Sequence, residues 1–304
     1  MKFRARERLN KSLSISAAVV GVPRYFDLAL PKLLRDLRRS GVNHIAGFFW
    51  AYKDADMPRT NVAMHRTPVT SEDWRSVTEL PFDSTVIAEP LRPLVLNWSP
   101  ESHPQVASLA LKPNPTASFS WLSAIAHGAQ ALTEANESQE DDYWIIARPD
   151  LVISDSAIRR LFRIIRQDAR WDNRSVAVAA RPSSHKVLFT EGKVSNLLVD
   201  HFFIGSPEAI SELAGLKETL QRIAEGTDQR QPIVNEFLLG QFLIDKDLRE
   251  YPVKLPYWIW RGSLTATIFS AVGRRGMARW REALRSLLWN LRGLISPGYH
   301  KRGI

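Results

Sequence analysis

Three residues, Arg148, Pro149 and Asp150, follow directly on the apolar run Tyr143 to Ala147. Proline cannot continue a central ladder, so a buried strand must end there and deliver a guanidinium and a carboxylate to its carboxyl end. In open α/β sheets, ligands sit in the crevice outside the carboxyl ends of the strands. An arginine in that place suits a phosphate, which its planar fork grips in bidentate fashion. An aspartate suits a divalent metal or a sugar hydroxyl; magnesium or manganese would share it with phosphate oxygens. A structural Arg–Asp pair closing a turn is the other reading of the same tripeptide.

Three further segments carry residues capable of chemistry. Gly21 and Arg24, in Gly21-Val22-Pro23-Arg24, follow an apolar run. Glycine lets the backbone approach a ligand, and an arginine at a helix start can hold a phosphate; an ordinary strand-to-helix turn would have the same composition. Asp200 and His201 interrupt the apolar stretch Leu197 to Ile204, where a polar group costs free energy unless it is hydrogen-bonded or at a site. Glu236, near the start of an apolar helix, is a candidate general base or acceptor-hydroxyl ligand. Its competing explanation is a first-turn acid favoured by the helix dipole.

Several chemistries are excluded. The chain has no cysteine, so disulfides, thiolate metal sites and a cysteine nucleophile are absent. Its seven histidines are scattered without HxxxH spacing, and there is no GxSxG elbow, GxGxxG fingerprint or GKS/T phosphate loop.

The elements that must position these residues alternate strand and helix. Strands are expected at Ser12 to Val20, His44 to Trp50, Thr85 to Glu89, the Tyr143 run, Val176 to Ala180 and Leu197 to Ile204. Helices are expected at Asp27 to Arg39, Phe119 to Leu132, a segment capped by Ser154 or Asp155 and running to about Asp168, Pro207 to Ala224, and Ile233 to Ile244. Residues Ala51 to Pro81 read mostly as loop, and Pro90 to Pro115 carries no assignment. Such alternation argues for a mainly parallel sheet flanked by helices. Serines alternating with Leu13, Ile15 and Ala17 favour a strand over a secretory leader.

The net charge is +9, and much of the excess lies from Arg274 onward, where eight Lys and Arg residues face only Glu282. Met277 to Ile295 reads as an amphipathic helix with tryptophans and an arginine face, a composition suited to a membrane interface or to docking on its own domain. We therefore divide the chain into a domain at 1–255 and a basic tail at 256–304. A nucleic-acid role finds no support: there is no recognised binding motif, and the aromatics are not interleaved with the basic run as a stacking platform requires.

Taken in order, the segments resemble a family of bacterial glycosyltransferase-like proteins of capsule and lipopolysaccharide synthesis. Gly21 to Arg24 is similar to its G-x-x-R opening, and Arg148-Pro149-Asp150-Leu151 to its R-P-D-L strand end. Asp200 and Phe202 through Ala209 are similar to its D-x-F-x-I-G-S-P-E-A segment, and Glu236 to Leu239 to an E-x-x-L helix. The resemblance spans roughly Ser14 to Leu243. It implies a GT-A-like, Rossmann-type sheet that binds a nucleotide-sugar, commonly with a divalent metal, with Asp150 at the metal or nucleotide. This chain departs from the pattern in having Ile146 and Ala147 where a further arginine is common, and it has no typical D-x-D.

The expectation that follows is a transferase peripheral on the cytoplasmic face of the membrane. It would move a sugar from a nucleotide-sugar to a glycan or lipid-linked acceptor, with its tail on anionic lipid. Arg24 and Arg148, with a metal at Asp150, would neutralise the leaving diphosphate, and Asp200 or Glu236 would deprotonate the acceptor. The alternative is a non-catalytic partner in polysaccharide assembly on a degenerate transferase fold.

Overall fold

The structure is a computed structural model that describes residues 13–23, 29–51, 71–88, 115–136, 141–179, 186–188, 194–196, 201–225, 235–253 and 257–259. The strands are β1 (Ile15–Gly21), β2 (His44–Trp50), β3 (Ser84–Ala88), β4 (Tyr143–Ala147), β5 (Leu151–Ile153), β6 (Ser175–Ala179), β7 (Lys186–Leu188), β8 (Val194–Asn196), β9 (Phe202–Gly205), β10 (Arg249–Val253) and β11 (Tyr257–Ile259). The α-helices are α1 (Ala29–Arg39), α2 (Ser71–Thr78), α3 (Pro115–Ala135), α4 (Asp155–Gln167), α5 (Pro207–Ser211), α6 (Leu216–Ala224) and α7 (Asn235–Asp245), with a 3-10 turn at Glu212–Gly215.

Seven strands form one sheet in the order β3-β2-β1-β4-β9-β6-β10. Six run parallel, and β9 alone is antiparallel to its neighbours β4 and β6. The fold is thus the mainly parallel α/β class that the alternation predicts, of the Rossmann type that the resemblance implies. The central strands are apolar along nearly their whole length because helices cover both faces, and the one buried hydroxyl of β1, Ser16, donates to Asn136 Oδ1. Along β1, Ala18 and Val20 face one layer and Ile15, Ala17 and Val19 the other; along β4, Trp144 and Ile146 oppose Tyr143, Ile145 and Ala147. The first layer holds α3, α5, α6 and α7, and the second α1 and α4.

Local sequence explains the joins. Ser206 caps α5 through Ala209 N, with Pro207 in the first turn, and Ser154 caps α4 through Ala157 N. Gly128 lets α3 lie directly on β1, where a β-carbon would come within 2.5 Å of Val20 Cγ1.

Three expectations are corrected. The segment read as loop before Pro81 contains α2, an eight-residue helix whose only buried apolar side chain among those described is Val77; a helix with so little to bury leaves almost no periodic signal. The stretch Pro207 to Ala224 is two helices joined by the 3-10 turn, because both halves bend to keep Ile210, Leu213, Leu216 and Leu220 on one core. Hydrogen bonding within the domain also continues past residue 255, since β11 pairs antiparallel with β5. The helix expected at Met277 to Ile295 lies outside the described residues. Among those described, no helix is long and apolar enough to cross a membrane.

Candidate functional site

The sheet order reverses between β1, which leads outward through β2 and β3, and β4, which leads the other way through β9. That reversal is the topological switch point, where open α/β sheets bind ligands at the carboxyl ends of the strands. Both motifs singled out above end there. In parallel register Val19 lies beside Ala147, so Gly21 and Pro149 are the next neighbours along the two strands.

Gly21 has φ +119°, which L side chains rarely adopt. A β-carbon on it would approach the Trp121 ring to 3.1 Å and Pro149 Cδ to 3.8 Å. The Arg148 guanidinium carbon lies 5.1 Å from the centre of the same indole, a cation–π distance. Trp121 therefore joins the two strand ends. Sequence reasoning missed it: one tryptophan in an apolar helix has nothing to set it apart until the sheet brings Gly21 and Arg148 to either side of it.

The turn after β4 closes when Leu151 N donates to Arg148 O at 3.2 Å. Within it, Arg148 Nε and Nη2 donate to the two carboxylate oxygens of Asp150 at 2.9 and 3.0 Å. The Asp150 side chain is 3% exposed, that of Arg148 23%. The expectation of an Asp150 carboxylate free at the strand edge is thus corrected, because the turn folds it back onto its own arginine.

A divalent metal does not fit this arrangement. Both oxygens of Asp150 are engaged by a guanidinium, and a metal there would stand beside a fixed positive charge. Among the described residues, no cluster of three or more His, Asp or Glu side chains is placed to hold one. What the site offers is an arginine held in one orientation by its aspartate, with an aromatic wall across the two strand ends.

His201 also reaches this edge. Since β9 runs antiparallel, its start lies against the end of β4, and Arg148 N donates to His201 O at 3.2 Å. Asp200 precedes it in the chain but lies outside the described residues, as does Arg24. Glu236 falls in the first turn of α7, and its side chain is likewise outside what is described. The structure therefore brings together Gly21, Arg148, Asp150 and His201, and gives no geometry for Arg24, Asp200 or the Glu236 carboxylate.

The two acids that begin the β4 run, Asp141 and Asp142, are at the opposite edge of the sheet. Asp142 Oδ2 accepts from Ser14 N at 3.0 Å. Asp141 accepts from Ser14 Oγ at 2.6 Å and from Trp144 Nε1 at 2.9 Å. They pin the start of β4 to β1 and are not part of the crevice.

No family model and no curated protein matches the chain. Among solved structures it is similar to a crystal structure of 4-diphosphocytidyl-2C-methyl-D-erythritol synthase, at 12% identity and a TM-score of 0.43, over 87% of this chain and 99% of that one.

Proposed function

We propose that the chain is a glycosyltransferase that takes a nucleotide-sugar at the carboxyl ends of β1 and β4 and passes the sugar to a glycan or lipid-linked acceptor in bacterial surface polysaccharide synthesis. The observation that carries this reading is the meeting of Gly21 and Arg148 across Trp121 at the switch point. The two motifs are more than 120 residues apart in the chain, and the resemblance to surface-polysaccharide transferases rests on both.

In this reading Arg148 neutralises charge on the leaving diphosphate, and Asp150 is its positioning partner. Charge that is oriented before the reaction stabilises a developing anion without further reorganisation. The transfer is metal-independent, since the carboxylate that would hold a metal is committed to arginine. Asp200 or Glu236 takes the acceptor proton, and Arg24 adds a second phosphate contact.

The test is a thermal-shift panel of nucleoside diphosphates and nucleotide-sugars, each with manganese and with chelator, on wild type and Arg148→Lys. A ligand bound by the native state raises its melting temperature by mass action. One nucleotide-sugar should stabilise the wild type equally in both conditions, and Arg148→Lys should lose most of the shift because lysine lacks the fork.

A second reading, a non-catalytic partner in polysaccharide assembly, is favoured by the closure of Asp150 onto Arg148. It would be established by a folded wild type that responds to no nucleotide.

A further inference from the structure

The sheet separates two helical layers of opposite charge. Within their bounds, α1 and α4 carry Lys32, Arg35, Arg38, Arg39, Arg159, Arg160, Arg163 and Arg166 against Asp36 and Asp155 only. The layer on the other face, α3 with α5, the 3-10 turn, α6 and α7, carries Lys217 and Arg222 against Glu134, Glu208, Glu212, Glu218, Glu236 and Asp245. One layer is therefore six charges positive and the other four negative.

The positive layer is a continuous surface. The two helices are neighbours, joined where Arg159 Nη1 donates to Arg39 O at 2.9 Å. Arg159 is paired with Asp155 at 2.7 Å and remains 51% exposed. The Arg39, Arg160, Arg163 and Arg166 side chains have no acidic partner among the described residues; the first three are exposed and Arg166 is half-exposed. An amphipathic helix needs only a polar outer face, and an ordinary solvated one mixes both signs. Here the outer face of α4 is arginine at four positions over two turns.

We propose that the α1–α4 face docks the protein on an anionic lipid bilayer. A planar anionic surface attracts the positive layer and repels the negative one, so it orients the whole molecule as well as concentrating it. The carboxyl ends of β1 and β4 lie at the rim of the sheet between the two layers, so docking by one layer would leave them near the headgroups and a lipid-linked acceptor. The face presents no exposed large apolar side chain; those among the described residues, Val86 and Ile87, are on β3. Binding is thus electrostatic, without insertion, and is lost as salt is raised. The same lack of exposed aromatics leaves single-stranded nucleic acid without a stacking platform.

This proposal rests on the membrane-side transferase reading only for its purpose, and its test is separable from that reading. The full chain is sedimented with phosphatidylcholine vesicles with and without phosphatidylglycerol. Wild type is compared with R39Q/R160Q/R163Q/R166Q, with its two halves R39Q/R160Q and R163Q/R166Q, and with a tail control, R275Q/R279Q/R281Q/R285Q. Each neutralised arginine near the surface should weaken partition about fivefold, so each half variant falls about 25-fold and the quadruple variant by several hundredfold. The half variants should fall by less, and the tail control should keep more binding than the quadruple. Nucleotide thermal shifts on the same variants should be unchanged, so a failure of the donor-site reading would show there and not in sedimentation. Quadruple or half variants that sediment like wild type would overturn the proposal. So would wild type that ignores phosphatidylglycerol, or that is held more tightly by double-stranded DNA than by the vesicles.

Discussion

Arg148 holds both carboxylate oxygens of Asp150, two residues further along, through Nε and Nη2 at 2.9 and 3.0 Å. The two ends of the pair are not equivalent, because the carboxylate is 3% exposed and the guanidinium side chain 23%. Arg148→Met strands a buried charge and should cost about 3–5 kcal/mol. Asp150→Asn leaves a partly solvated guanidinium with a neutral acceptor and should cost only about 1–2 kcal/mol. Urea denaturation of both variants measures the order. Equal costs would mean that Asp150 gains solvent or another partner once Arg148 is gone.

Gly21 is constrained twice, by its φ and by Trp121. Gly21→Ala meets the indole at 3.1 Å and also adopts a backbone conformation unfavourable to L residues. We expect a loss of about 1–3 kcal/mol. In a Trp121→Ala background the steric part disappears and the backbone part, about 1 kcal/mol, remains. A double-mutant cycle separates the two. A cycle in which Gly21→Ala costs the same with and without Trp121 would show that the ring moves aside freely.

Helix α3 is seated on β1 at Gly128, where a β-carbon would stand 2.5 Å from Val20 Cγ1. Alanine favours a helix over glycine by about 1 kcal/mol, but overpacking a core costs about 1–3 kcal/mol. The clash involves a branched side chain rooted in a central strand, so we expect Gly128→Ala to destabilise. Val20→Ala should rescue it, leaving the double variant more stable than the sum of the single effects. Trp121 lies on the same helix, so Gly128→Ala should also weaken nucleotide binding.

The sheet was legible because strands buried on both faces have no choice but to be apolar throughout, as His44 to Trp50 shows. Arg148 and Asp150 were legible as a place in the fold, since the proline between them ends the strand. Their relation was not: the same Arg-Pro-Asp permits an open carboxylate or a closed pair, and only the turn geometry decides. Trp121 was invisible for a different reason. Its neighbours at Gly21 and Arg148 are 100 and 27 positions away, so no local pattern reports it. The charge polarity between the layers was half legible. The arginine face of α4 could be read from helical spacing, but the acidic layer opposite it emerges only when the topology assigns each helix to a side.

His127 gives the fold a pH dependence of known sign. It stacks on Phe48 with ring centroids 4.6 Å apart and meets Trp50 edge-on at 5.5 Å. Burial, followed by the charge of Lys217, lowers its pKa below the usual 6.5, against a smaller opposing pull from Glu134. In the window below the unfolded value the unfolded chain binds the proton more readily, so acidification favours unfolding. Contributed stability is complete at neutral pH and is lost as pH falls from about 6.5 toward the folded-state value. His127→Phe keeps an aromatic ring against Phe48 and removes the proton. Its melting temperature should therefore fall less than that of wild type between about pH 7.5 and 5.5. Lys217→Gln should make the loss smaller than in wild type, because removing that charge brings the folded-state pKa of His127 closer to the unfolded one. Calorimetry across the range checks both, and parallel profiles for wild type and His127→Phe would place the acid sensitivity elsewhere in the chain.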